Sequence, residues 1–142
     1  MILILGKVFK QPGNFFLMWN ILLRIIVATL SGGIIGWERM IKGKAIGPRT
    51  MALISLGSAV VVQSSNYFPQ YGAAILAGII TGIGFLGGGV IHNQNGQIKG
   101  LTTATTVWVS AIVGLTIGLG DYILGLGMTV IILILLALPV HD

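Results

Sequence analysis

The sequence lacks cysteine and has few charged residues. Of its 142 residues, three are Asp or Glu and eight are Lys or Arg. The absence of cysteine excludes a disulfide framework, a thiol nucleophile and a cysteine-based zinc site. The charged fraction is 8%, against about 25% in an ordinary soluble domain, which nearly excludes a soluble enzyme or binding module. Intrinsic disorder is excluded as well, because disordered segments have low hydrophobicity.

Hydrophobic residues and glycine make up most of the chain. Hydrophobic residues are 55% of the sequence, glycine occupies 22 positions, and the mean hydropathy is +0.99. A membrane-spanning helix needs about 20 mostly apolar residues, and the four prolines divide the chain into pieces of about that length. The sequence therefore predicts an all-α membrane protein with about five transmembrane helices, over residues 15–36, 51–65, 73–91, 101–120 and 122–138.

The distribution of basic residues predicts the orientation in the membrane. Loops 37–50 and 92–100 lie on one side of five alternating spans and contain five Lys or Arg residues. The other side has only Lys7 and Lys10, so the positive-inside rule places the two loops in the cytoplasm, the N-terminus outside and the C-terminus inside. We expect residues 1–18 to form an interfacial leader, without a cleaved signal peptide, before a five-span domain over 19–138 and a short tail over 139–142.

Glycines four residues apart are the most informative local pattern. This spacing places two positions without side chains on one helix face, where another helix can approach closely. Such faces serve packing within one protomer or the formation of a homodimer, and both interpretations remain open. A match to the dinucleotide-binding pattern G-x-G-x-x-G is rejected, because it lies within a predicted span and not in a βαβ unit. The candidate packing glycines are Gly32, Gly36, Gly78, Gly82, Gly84, Gly87, Gly88, Gly114 and Gly118.

The few charged side chains offer little for ion binding. Arg24 lies well inside an apolar run, so it either needs a partner in the membrane or extends to water near the outer end of its span. Glu38 and Asp121 are predicted at opposite membrane edges, so they cannot share one Mg²⁺ ion within a protomer. The simpler interpretation is that each carboxylate caps a helix or pairs with a nearby cation.

A turn signal and a run of threonines precede the fourth predicted span. Asn95-Gly96 predicts a tight cytoplasmic hairpin between residues 92 and 100. Four threonines follow, whose hydroxyls either cap free N–H groups and bond to carbonyls one turn back, or line a polar pathway. They are Thr102, Thr103, Thr105 and Thr106.

No catalytic, cofactor-binding or nucleic-acid-binding pattern is found. The serines have no accompanying His and acidic residue, and the phosphate-binding loop pattern is absent. The sequence pI is near 10.0 because of an excess of positive charge, which lies in a short loop next to the membrane. Attraction of this loop to anionic lipid headgroups explains the excess without nucleic-acid binding. We therefore expect a protein that is not an enzyme, has no cofactor and does not bind nucleic acid.

Four sequence blocks, taken together, resemble a known family. They are GGIIGWER at 32–39, KAIGPRT at 44–50, GIGFLGGGVI at 82–91 and KGLTTATTVW at 99–108. In this order and spacing they resemble the MgtC/SapB family of bacterial inner-membrane proteins. Four motif residues, Glu38, Arg39, Arg49 and Thr50, are expected to shape the cytoplasmic edge.

The resemblance implies a five-span domain in the bacterial inner membrane, with its N-terminus outside. It implies a link to growth in low magnesium and, in pathogens, to survival inside macrophages. Family members usually continue into a cytoplasmic domain after the fifth span, which we expect to be absent here, and Asp121 stands where an uncharged residue is expected.

Two functions follow from the resemblance and the residues. The first is a non-enzymatic regulator of another membrane complex, such as the membrane sector of the F-type ATP synthase. The alternative is a transporter of Mg²⁺ or another ion that acts as an oligomer, because one protomer supplies few ligands. Partners are then the lipid bilayer, a second copy of the chain, or such a membrane complex.

Overall fold

The structure of residues 14–139 is a bundle of five α-helices with one short hairpin. It is a computed structural model, and it describes residues 14–139. Of the predicted leader, residues 1–13 lie outside the described residues and the remainder begins the first helix. Of the predicted tail, only Pro139 is described. The helices are α1 (Asn14–Ile41), α2 (Pro48–Ser64), α3 (Gly72–Gly88), α4 (Leu101–Leu119) and α5 (Tyr122–Ala137).

Short elements connect these helices. Two 3₁₀ turns, Ser65–Tyr67 and Pro69–Tyr71, join α2 to α3. Strands β1 (His92–Gln94) and β2 (Gln97–Lys99) pair antiparallel between α3 and α4. Asn95 and Gly96 have φ angles of 54° and 82° at the turn, as expected for an Asn-Gly hairpin. The predicted hairpin is therefore confirmed.

The helix lengths agree with a membrane protein. Three helical segments, Phe15–Ile41, Pro69–Gly88 and Leu101–Leu119, are long and apolar enough to cross a membrane. Helix α5 is apolar but has 16 residues, and α2 has 17, slightly fewer than the about 20 that a straight span needs. The predicted all-α membrane class with five helices is confirmed.

Helix α1 extends beyond its predicted end. The expectation that Glu38 and Arg39 belong to a loop was wrong, because both lie in the last turns of a helix that ends at Ile41. Glu38 pairs with Lys42 at a distance of four residues, and Arg39 lies where a cation interacts favourably with the negative end of the helix dipole. These local interactions keep a charged segment helical.

Helix α4 lies at the centre of the bundle and contacts the other four helices. Its buried Val113 and Ile117 pack with Ala28 and Ile35 of α1 and with Ala59 of α2. A second buried cluster joins α4 to α2 on the side nearer the hairpin. Helix α3 differs from the others, because Gly87 is its only buried residue.

Candidate functional site

A charged cluster at the end of α1 ties that helix to α5. The Glu38 carboxylate accepts from Arg39 Nε at 2.5 Å and from Arg39 Nη2 at 2.7 Å, and Lys42 Nζ lies 3.1 Å from its Oε1. Arg39 Nη2 also donates to the carbonyl of Leu136 at 3.5 Å, and Lys42 Nζ donates to the same oxygen. Two cations therefore satisfy a carbonyl in the last turn of α5, where the helix dipole favours positive charge.

The other two motif residues at this edge lie apart from that cluster. Arg49 and Thr50 are exposed in the first turn of α2, which begins with Pro48 at its first helical position. Among the described residues, Arg49 forms no ion pair. The structure thus brings Glu38 and Arg39 together and leaves Arg49 and Thr50 on the neighbouring helix.

Arg24 caps the opposite end of the bundle. Its Nη1 donates to the carbonyls of Gly118 and Leu119, at 3.3 and 3.2 Å, in the last turn of α4. The Gln63 amide donates to the carbonyl of Gly118 as well, and Gln63 is buried. Of the two interpretations of Arg24, the structure supports a partner within the protein. Gln63 is a second donor to the end of α4, and the sequence indicated it only by its polarity at the end of an apolar run.

Asp121 caps the first turn of α5 at the same end. Its Oδ1 accepts from the backbone N–H of Leu124 at 3.0 Å, as an N-cap residue does. Because Leu136 is 15 residues further along α5, the Asp121 and Glu38 ends of the bundle are separated by about 22 Å of helix. Among residues 14–139, no group of three or more His, Cys, Asp or Glu side chains is placed to hold a metal ion.

Four of the candidate glycines lie in tight helix contacts. A Cβ on Gly32 would lie 2.7 Å from the Ser55 Cβ, and one on Gly36 would lie 2.6 Å from the Pro48 Cα. Gly114 and Gly118 face the same helix, with α2 backbone atoms at 2.7 and 2.8 Å from such a Cβ. Helix α2 is therefore held close to both α1 and α4 by positions that tolerate no side chain.

The candidate glycines of α3 are in a different environment. Gly87 is packed against α4, with 3.1 Å between an added Cβ and the Ala104 carbonyl oxygen. Apart from their own stretch of α3, no atom of residues 14–139 lies within 4 Å of such a Cβ on the remaining four. They are Gly78, Gly82, Gly84 and Gly88.

The threonines do not form one continuous row. The hydroxyls of Thr105 and Thr106 donate to the carbonyls of Leu101 and Thr102 one turn back, at 3.0 and 2.7 Å. No side chain caps the N-terminus of α4, where Gly100 is the N-cap residue. Thr102 is exposed and Thr103 is buried, and both line a cleft at this end of the bundle.

An apolar groove separates α2 from α3. It has a volume of about 560 Å³ and an almost entirely apolar lining. Gly57 of α2 and Gly78 and Gly82 of α3 line the groove among aliphatic side chains, so each wall has a position without a side chain. Thr50, one of the exposed motif residues, also lines the groove.

Comparison with known proteins identifies the family. The MgtC family model matches residues 25–140, which include all five helices apart from the first turns of α1. The chain belongs to the MgtC family. Protein MgtC of Salmonella typhimurium (strain LT2) is 42% identical to it over 118 residues, or 82% of this chain and 51% of that protein.

Two further relatives are similar to this chain over most of its length. The Escherichia coli (strain K12) protein YhiD, named as a candidate magnesium transporter, is 40% identical over 81% of this chain and 58% of its own length. An uncharacterized protein of Haemophilus influenzae is 37% identical over 78% of this chain and 52% of its own. The chain thus spans about half the length of the curated relatives it matches. No solved structure shows a significant match.

Proposed function

We propose that this MgtC family chain is a multi-pass protein of the bacterial cytoplasmic membrane that regulates another membrane complex without being an enzyme. The N-terminus lies outside and the C-terminus in the cytoplasm, because loops 42–47 and 89–100 face the side that attracts basic residues. Regulation takes place through helix contacts within the membrane. The resemblance to the MgtC/SapB family supports the membrane sector of the F-type ATP synthase as the partner, with a role in low magnesium and intracellular survival.

The groove between α2 and α3 is the observation that carries this proposal. The segment Pro69–Gly88, which combines the second 3₁₀ turn with α3, is apolar and long enough to cross the membrane, yet only Gly87 of α3 is buried. In lipid, helices associate through close packing at small residues and not through the hydrophobic effect. Gly57, Gly78 and Gly82 therefore offer a transmembrane helix of the partner a surface that it can approach closely.

Two glycines of α3 allow a matched test of the groove. Gly82 lines the groove, whereas Gly84 does not, and an added Cβ on either would meet no described atom within 4 Å beyond its own stretch of α3. We expect Gly82→Leu to abolish cross-linking to ATP synthase membrane subunits in native membranes under magnesium limitation, while Gly84→Leu preserves it. In inverted membrane vesicles, ATP-driven proton pumping is expected to be inhibited by the wild-type chain and not by Gly82→Leu.

The proposal fails if the wild-type chain neither cross-links to these subunits nor changes proton pumping. It also fails if Gly82→Leu and Gly84→Leu reduce cross-linking equally at equal expression, because the groove would then have no special part.

The second candidate function is transport of Mg²⁺ by an oligomer, and the name of the relative YhiD is what supports it. In the protomer, both Glu38 oxygens are engaged by Arg39 and Lys42, and Asp121 caps a helix at the other end. A transport pathway would therefore need ligands from a second copy, and the open glycine pair Gly84 and Gly88 would supply the dimer contact. Mg²⁺ uptake into liposomes by the purified chain, lost in Glu38→Ala, would favour transport over regulation.

A further inference from the structure

Ser58 of α2 lines the groove between α2 and α3 and is buried there. It is 3% exposed, and its hydroxyl has no hydrogen-bond partner among residues 14–139. Buried threonines elsewhere in the bundle are satisfied, because the hydroxyls of Thr106, Thr116 and Thr129 donate to carbonyls one turn back. A buried hydroxyl without a partner is costly, so its position on the groove wall points to an acceptor that an occupant supplies.

The groove itself offers Ser58 no partner. Of the described residues that line it, only Thr50 and Ser58 have polar side chains, and none is charged. Thr50 is exposed in the first turn of α2, so about 12 Å of helix separates it from Ser58. Ser58 is therefore an isolated polar group in an apolar groove.

The depth of Ser58 in the membrane limits what the acceptor can be. Ser58 follows Pro48, the first residue of α2, by ten residues, or about 15 Å at 1.5 Å per residue. With α2 crossing the bilayer as proposed above, this is half of a hydrocarbon core of about 30 Å. Water is not available there, and lipid acyl chains have no hydrogen-bond acceptor. A polar side chain of another membrane helix is the partner that suits this position.

Two other buried serines differ from Ser58 in their position. The hydroxyls of Ser55 and Ser110 also lack a partner among the described residues, and both residues are 0% exposed. Neither lines the groove, and Ser55 lies in the tight contacts of α2 with Gly32 and Gly114. Only Ser58 of these three borders space that a second helix can approach. Its hydroxyl turns about one bond among three staggered positions and can thus follow an acceptor that enters beside it.

We propose that the membrane helix bound in this groove presents a neutral hydrogen-bonding side chain, an amide or a hydroxyl, to Ser58 at the middle of the membrane. The inference rests on the proposed function, because that function places a helix of the partner in the groove. The glycines of the groove walls let the helix backbone approach closely, and Ser58 then favours helices with a polar residue at its level. A charged side chain is disfavoured, because the lining supplies no opposite charge.

The test compares the binding of two synthetic membrane helices to the full chain in phosphatidylcholine vesicles. The peptides are about 20 residues long and rich in leucine, with two glycines four residues apart. They differ only at the central position of the glycine face, which is Asn in one peptide and the similarly sized Leu in the other. Because the sequence has no cysteine, Gln97→Cys in the exposed hairpin accepts a single fluorophore for energy transfer to a labelled peptide.

The wild-type chain should bind the Asn peptide about three- to tenfold more tightly than the Leu peptide, the effect of one hydrogen bond between membrane helices. Ser58→Ala should reduce this preference below about twofold without weakening binding of the Leu peptide. Its Tm without peptide should not fall, because the hydroxyl has no described partner to lose. Ser110→Ala is the matched control and should keep the preference, because it removes an unpartnered buried hydroxyl that does not line the groove.

Equal affinity of the wild-type chain for the two peptides overturns the inference. A preference that survives in Ser58→Ala, or that Ser110→Ala abolishes as well, also overturns it. Retention of a phospholipid that Gly82→Leu abolishes, with neither peptide bound, would assign the groove to lipid and overturn the inference too.

These outcomes are separate from the test of ATP synthase as the partner. Cross-linking to its subunits that depends on Gly82, without a preference for the Asn peptide, would support the proposed function and overturn this inference. A preference that depends on Ser58, without such cross-linking, would support the inference and reject ATP synthase as the partner.

Discussion

Gly114→Ala is the sharpest test of how the bundle is packed. The added methyl group would lie 2.7 Å from the Cα and C atoms of Ser55 in α2, whereas an ordinary contact is 3.4 Å or more. The Ser55 carbonyl oxygen lies closer still, so helix α2 must withdraw by more than about 0.7 Å, the difference of these two distances, against a rigid backbone. Overpacking of this kind costs about 1–3 kcal/mol, and the better helix propensity of alanine returns about 1 kcal/mol. The net expectation is destabilisation by up to about 2 kcal/mol.

Gly84→Ala is the control for the same chemical change. In the described part of the chain, nothing beyond its own stretch of α3 lies within 4 Å of its added Cβ, so only the gain in helix propensity remains, about 1 kcal/mol. Unfolding in mixed micelles, followed by circular dichroism, compares both variants with the wild type. The reasoning is refuted if Gly114→Ala is at least as stable as the wild type, or if Gly84→Ala loses as much stability as Gly114→Ala.

Three further predictions concern the polar ends of the helices. Arg24→Met should lower stability by about 1–2 kcal/mol, because two carbonyls at the end of α4 lose a charged donor; an unchanged Tm would contradict this. Arg39→Met should cost about 3 kcal/mol by leaving Glu38 without its main partner, and the double variant with Glu38→Gln should recover part of the loss in the same unfolding assay. Asp121→Ala should cost about 1 kcal/mol through loss of the hydrogen bond to Leu124, while Asp121→Asn should retain most of the stability; equal losses would argue against capping.

The helical segments and the hairpin could be predicted because their signals are local. Apolar runs between prolines gave four of the five helices to within about three residues at each end. The Asn95-Gly96 turn followed from the backbone geometry that such a pair adopts. The end of α1 could not be predicted from hydropathy, because Glu38 and Arg39 remain helical through pairing with each other, with Lys42 in the following turn and with α5.

The contacts of the candidate site could be predicted from the sequence only in part. Glycine spacing identified the small-residue positions. Gly32 and Gly82 both belong to pairs of glycines four residues apart, but Gly32 is packed against α2, whereas Gly82 faces open space. Which glycine faces a neighbour depends on where α2 and α4 lie in space. Arg24 likewise had two interpretations from the sequence, a partner in the membrane or extension to water. Its hydrogen bonds to the carbonyls of Gly118 and Leu119, at the end of α4, decided between them.

By itself, the sequence determined that this is a helical membrane protein, since composition and hydrophobic length limit what lipid can accommodate. Its resemblance to the MgtC/SapB family was carried by four sequence blocks and not by composition. The tertiary structure alone decided which helix is central, which glycines pack against a neighbouring helix, and which helix surfaces have no neighbour among the described residues. It placed residues distant in the sequence, such as Lys44, Lys99 and Thr103, around one cleft. The physical reason is that hydrophobic pattern is a property of each segment, whereas contacts between helix ends and faces arise only when the segments pack together.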